Sequence, residues 1–106
     1  MSANHVFEAL ASQPRRKILA YLSAKEMTAG EIASRFAMSA PAISRHLSVL
    51  EKAALVSSER RGQYVYYQLL QDNLVNTLTG FAFEICPVAG PLRREARKQA
   101  PRKQPT

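Results

Sequence analysis

Apolar side chains recur along most of this chain at spacings of three and four, change to strict alternation in one segment, and then return to three and four. The first rhythm marks helices that bury one face, and the second a half-buried strand. "ANHVFEALA" predicts a short helix with Val6, Phe7 and Leu10 on one side. Pro14 suits the first turn of the next helix, whose apolar stripe is Ile18, Leu19 and Leu22. "MTAGEIASRF" starts with a capping box, in which Thr28 caps and Glu31 reaches back, and Ile32 and Phe36 then face the core. Ser39 caps a further helix, with only Ala37 and Met38 between it and Phe36. Two helices joined by so short a turn make a helix-turn-helix candidate.

The helix within "SAPAISRHLSVLEKAALV" has two different faces. Ile43, Leu47, Leu50 and Ala54 point inward, and at about 100° per residue Ala40, Pro41, Ser44, Arg45 and Ser48 lie roughly opposite. A solvated outer face usually carries Glu–Lys pairs one turn apart. This one has short side chains around a single guanidinium. Such a surface lets a helix sink into the DNA major groove, where Arg45 can pair bidentately with guanine O6 and N7. "LVSSERRGQYVYYQL" follows, with Val65, Tyr67 and Leu69 alternating against Tyr64, Tyr66 and Gln68, and Gly62 supplying the positive φ of a tight hairpin turn. A hairpin directly after a recognition helix is the wing of a winged helix, and Arg60 and Arg61 at its tip are candidates for phosphate or minor-groove contact. Ser39 and Thr28, at the two helix starts, complete the candidate DNA-binding set. The last apolar stripe, Leu74, Leu78, Phe81 and Ile85, follows Asp72 as expected N-cap. One small monomer has little surface left to cover that stripe, so it predicts a two-fold interface.

Composition bounds these readings. At 106 residues the chain is one domain with a modest core. Its +7 net charge is uneven: residues 1–86 carry nine Lys/Arg against seven Asp/Glu, whereas residues 87–106 carry six against one and four of the six prolines. The expected division is therefore a DNA-binding and dimerisation domain over 1–86 and a basic, flexible tail over 87–106, with a short helix possible in "PLRREARKQA". The longest unbroken apolar run, Ile18 to Leu22, predicts no membrane insertion, and no secretory leader pattern is visible; a cytoplasmic protein, nucleoid-associated when on DNA, is expected. A single cysteine, Cys86, excludes an internal disulfide. No phosphate-binding loop, catalytic carboxylate pair or Ser-His-Asp set is present, so no enzyme and no cofactor are expected. Two competing readings are a redox-responsive repressor using Cys86, and a winged-helix module for protein contact with the tail binding an acidic partner.

Over roughly residues 5–84 the chain resembles the small ArsR/SmtB-type winged-helix transcriptional repressors of bacteria, and within them the SdpR-like branch, whose members lack metal sites. The segments that carry the resemblance are "ALASQPRRKILAYL", "TAGEIASRFAMSAPAISRHLSVLEKAALV" and "ERRGQYVYYQL", in the family's order. The resemblance implies a mainly α fold with a small β-hairpin, in the order ααααββα. It also implies a homodimer formed through the first and last helices, with Phe7, Leu10, Leu74, Leu78, Phe81 and Ile85 at its interface. Such a dimer represses by binding an inverted repeat in double-stranded DNA, and the family's DNA-contacting positions fall on Ala40, Pro41, Ser44 and Arg45. Two departures stand out. Where the family usually has glycine after the recognition helix, this chain has Ala54, which costs about 1 kcal/mol if the backbone there is left-handed. The family's metal sensors use a Cys-x-Cys motif or Asp/His pairs, whereas "TAGEIASRF" has no cysteine and "DNLVNTLTGFAFEIC" no histidine. No metal site is therefore expected, His46 is read as a hydrogen-bonded residue at the core edge, and any effector, protein or small molecule, is left open.

Overall fold

The computed structural model describes residues 3–86, so the basic tail lies outside the described residues. Helix α1 spans Ala3–Leu10 and α2 Gln13–Ala24; β1 is the two-residue strand Met27–Thr28, and α3 is Ala29–Ala33. Helix α4 spans Ala40–Lys52, β2 Val56–Arg61, β3 Tyr64–Leu69 and α5 Gln71–Ile85. The helix starts follow from the caps. Ser12 receives the Arg15 amide, with Pro14 in the first turn of α2. At α3 the Thr28–Glu31 box is complete, and at α4 Ser39 receives the Ala42 amide.

The sheet holds one strand more than the alternation predicts. Its order is β1-β3-β2, all antiparallel, with Met27 opposite Tyr67 and Val56 opposite Leu69. Two residues are too short a run to show a period of two, so β1 has no sequence signal of its own. The order ααααββα therefore becomes ααβααββα. Between β2 and β3, Gly62 has φ +64° and is the only glycine among the described residues with positive φ.

The core comprises Val6, Ala9, Ile18, Leu19, Leu22, Met27, Ile32, Ile43, Leu47, Leu50, Ala53, Leu55 and Val56. Two expectations shift here. In α1 the second buried residue is Ala9, while Phe7 is exposed and Leu10 half-buried. At the end of α4 the buried alanine is Ala53, not Ala54. The reason lies in the backbone: α4 ends at Lys52, and Ala54 turns left-handed at φ +58°. The Leu55 amide then reaches back to the Leu50 carbonyl at 3.0 Å and the Ala54 amide to Glu51 at 3.0 Å. These are the paired bonds of a Schellman stop, with Leu55 and Leu50 both buried beneath it. Asn73 closes the same end, its side-chain amide donating to the Ala53 and Ala54 carbonyls at 3.0 and 3.2 Å.

The described chain falls into two units, one ending at Leu74 and the other beginning at Val75. The first is the winged helix. The second contains most of α5, which starts at Gln71, so Asp72 sits inside its first turn rather than capping it. No residue of α5 is buried. No helix of the described residues is long and apolar enough to cross a membrane.

Candidate nucleic-acid interface

Helix α4 presents every residue that periodicity assigned to its outer face. Ala40, Pro41, Ser44, Arg45 and Ser48 are all exposed, while Ile43, Leu47 and Leu50 are buried beneath them. The first turn carries no acid, so the positive end of the helix faces outward without a carboxylate to neutralise it. Arg45 takes part in no ion pair among the described residues. A long donor fork thus stands among short side chains beside an uncompensated helix N-terminus.

Thr28 and Ser39 hold the starts of α3 and α4. The Thr28 hydroxyl accepts the Glu31 amide at 3.1 Å, and the Glu31 carboxylate accepts the Thr28 amide at 2.9 Å. Ser39 Oγ accepts the Ala42 amide at 3.3 Å. Each hydroxyl has used an acceptor position and keeps its own O–H to donate outward. Ser39 is exposed and Thr28 half-buried.

The two wing arginines differ. Arg61 donates to both Glu26 carboxylate oxygens and, at 2.7 Å, to Glu59, and its guanidinium lies 4.7 Å over the Tyr66 ring. Gln68 adds a hydrogen bond to Glu26 at 2.9 Å. The hydrogen bond from Arg61 holds the Glu26 carboxyl below its usual range, and the same pairing raises Arg61 further. Arg61 therefore fastens β2 to the segment that precedes β1. Arg60 is exposed and has no ion pair among the described residues. Spacing in sequence gave no hint of Glu26, which lies thirty-five positions before Arg61.

Behind α4, Arg15 is half-buried and makes three contacts. Its Nε donates to the Ala9 carbonyl at 2.7 Å, Nη2 to the Glu8 carbonyl at 3.1 Å, and Nη1 lies 3.3 Å from His46 Nδ1. Burial first, then Arg15 and Arg45, lower the His46 pKa below the ordinary imidazole value. The hydrogen-bonded, core-edge position expected of His46 is what the geometry shows, but its partner Arg15 carried no signal in the periodicity.

Apolar side chains are exposed along α5: Val75, Leu78, Phe81, Phe83 and Ile85. Leu74, in the winged-helix unit, is half-buried against the core. Phe83 stands about 180° from the Leu74–Ile85 stripe on a helix of 3.6 residues per turn, so the helix is apolar on more than the predicted side. Cys86 is a free, half-buried thiol. No group of three or more His, Cys, Asp or Glu suited to a metal ion occurs among the described residues.

Residues 12–58 match the family described as bacterial regulatory protein, arsR family. Over 75 residues the chain is 47% identical to the transcriptional repressor SdpR of Bacillus subtilis (strain 168), covering 67% of this chain and 83% of that protein. It is 36% identical over 64 residues to the transcriptional activator HlyU of Vibrio cholerae serotype O1, covering 60% of this chain and 59% of that protein. Among solved structures, a possible transcriptional regulator for arsenical resistance superposes with a TM-score of 0.64 at 29% identity, over 88% of this chain and 94% of that one.

Proposed function

This chain belongs to the arsR family of bacterial regulatory proteins, DNA-binding transcriptional regulators rather than enzymes, and we propose that it acts as a homodimeric repressor of an inverted-repeat operator. The observation that carries this reading is the outer face of α4, where four exposed short residues surround the one guanidinium of Arg45 at an acid-free helix start. In this reading Arg45 reads a guanine edge, and Ala40, Pro41, Ser44 and Ser48 give the helix its close approach. Ser39 and Thr28 donate to phosphates, and Arg60 meets the backbone beside the groove while Arg61 shapes the wing. Repression is taken from SdpR, the repressor with which 47% of aligned positions agree, although HlyU bears the name of an activator.

Dimerisation is supported by the apolar side chains that α5 leaves exposed. Phe7 and Leu10 of α1 and Leu74, Leu78, Phe81 and Ile85 of α5 form the proposed interface, which Val75 and Phe83 enlarge. A helix apolar on several sides normally lies inside a protein or between subunits. The 1–86 domain then contains both DNA-reading and pairing elements, and residues 87–106 add sequence-independent attraction to phosphates. Footprinting on the promoter of its own operon tests the proposal. Two protected half-sites whose centres lie about 34–36 Å apart, or a close multiple, are expected; a single unpaired site or no protection contradicts it.

The regulator is further read as one that does not respond to metal. Support comes from the donor set, one cysteine and two histidines in the whole chain and no cluster of three ligands among the described residues. Zinc, cadmium or arsenite at low micromolar concentration is expected to leave operator affinity unchanged. Stoichiometric binding with a tenfold loss of affinity, about 1.4 kcal/mol of coupling, would overturn that and direct attention to His5, Glu84 and Cys86 as ligands shared between subunits.

A further inference from the structure

The three contacts of Arg15 join elements that are far apart in sequence. Helix α1 ends at Leu10, and its last carbonyls have no partner within the helix. The Arg15 guanidinium takes two of them, those of Glu8 and Ala9, and the neighbouring Arg16 takes a third, that of Leu10, at 2.6 Å. The remaining arm of Arg15 meets His46 Nδ1, thirty-one positions later, on α4. His46 directly follows Arg45, so the end of the clamp lies one residue from the proposed base-reading side chain.

The chemistry of this contact determines a protonation state. Arginine has five N–H donors and no acceptor, and it does not lose its charge in proteins. Nδ1 of His46 must therefore accept, which requires a neutral ring with its proton on Nε2. A proton placed on Nδ1 removes the acceptor and sets two cations 3.3 Å apart in a half-buried position. Among the described residues the charges acting on the ring are both positive, with no carboxylate to offset that repulsion. The charges that bear on His46 are Arg15 from α2 and Arg45 on α4 itself, and none from α3 or β2. On the α1 side, Glu8, His5, Arg15 and Lys52 line an adjoining cavity of about 390 Å³ with Val49, and in it the bases outnumber the single acid.

We propose that Arg15 is a positioning residue for DNA recognition, clamping the end of α1 to His46 on the DNA-reading helix, and that protonation of His46 opens this clamp and lowers operator affinity at mildly acid pH. The inference rests on the reading of α4 as the DNA-reading helix. It runs against simple electrostatics, because an added positive charge on a DNA-binding surface strengthens non-specific attraction to phosphates. Acidification thus moves the two effects in opposite directions: the specific complex weakens while binding to unrelated duplex does not.

The test uses the full-length protein and the duplex that it selects from a randomised pool, with an unrelated duplex as the non-specific probe. Affinities are measured between about pH 7.5 and about pH 5, a range extended well below the ordinary imidazole value near 6.5 because burial and the two arginines hold His46 beneath it. The wild type is expected to lose at least about fivefold in affinity for the selected duplex, the lower end of typical site-to-site coupling. His46→Asn keeps an acceptor near the Nδ1 position and cannot titrate; it should retain the neutral-pH affinity and lose the pH dependence. Arg15→Lys, which keeps the charge but not the fork, should bind more weakly at neutral pH and show a smaller loss on acidification. A wild-type affinity that is flat or rises towards pH 5, or a His46→Asn protein that keeps the fall, overturns the proposal. Arg45→Ala is measured alongside: if it reads the selected duplex as well as wild type, the assignment of α4 itself has failed, a result distinct from failure of the clamp.

Discussion

Ala54 adopts φ +58° at the stop of α4, in a region that costs an L-residue about 1–2 kcal/mol and glycine almost nothing. Ala54→Gly is therefore expected to raise unfolding stability by about 1 kcal/mol, and Asn73→Ala, which strips the Ala53 and Ala54 carbonyls of their donor, to lower it by about as much. Denaturant midpoints at unchanged slope measure both; an Ala54→Gly protein no more stable than wild type would show that the left-handed turn is not a source of strain. The wing arginines offer a second contrast. Arg60 is exposed without an ion pair among the described residues, whereas Arg61 is committed to Glu26, Glu59 and Tyr66. Arg60→Ala should reduce the slope of log affinity against log salt by about one phosphate contact, close to 0.9. Arg61→Ala should leave that slope nearly unchanged and instead loosen the wing, which hydrogen exchange in β2 reports. Equal slope changes for the two would mean that Arg61 leaves Glu26 for phosphate on binding.

At the scale of elements, the decisive helix is α5, fifteen residues long with none buried. Leu78→Asp or Ile85→Asp places a charge where the proposed interface excludes water, and an unpaired buried charge is costly. Both variants should sediment as monomers and lose operator affinity together; a wild type that is monomeric at micromolar concentration contradicts the interface. The helices were largely legible in the sequence because their signals are local: a Thr28–Glu31 box, Ser39 ahead of Pro41, and stripes at three and four. The wing was legible because alternation and Gly62 coincide. What was not legible depends on partners far away in the chain. Strand β1 exists through its pairing with Tyr66 and Tyr67, Arg61 is turned by Glu26, and His46 is held by Arg15. Phe83 lies off the stripe that defines the helix, so the spacing alone gives no sign of it.

At the scale of the whole molecule, the proposal assigns base reading to α4, phosphate contact to the wing and the N-terminal caps, and pairing of two copies to α1 and α5, an arrangement that would set two recognition helices in successive major grooves. Of the α4 face, Arg45 is the one residue able to form a bidentate pair with a base, so the reading depends on it more than on any other side chain. The most direct measurement is the base preference of Arg45→Ala against wild type, scored position by position over a randomised duplex pool. Loss of preference at one base pair in each half-site, with a cost on the order of 1–3 kcal/mol and the remaining positions retained, is the predicted result. An unaltered profile, with affinity reduced evenly or not at all, would contradict the claim that this helix reads DNA through Arg45.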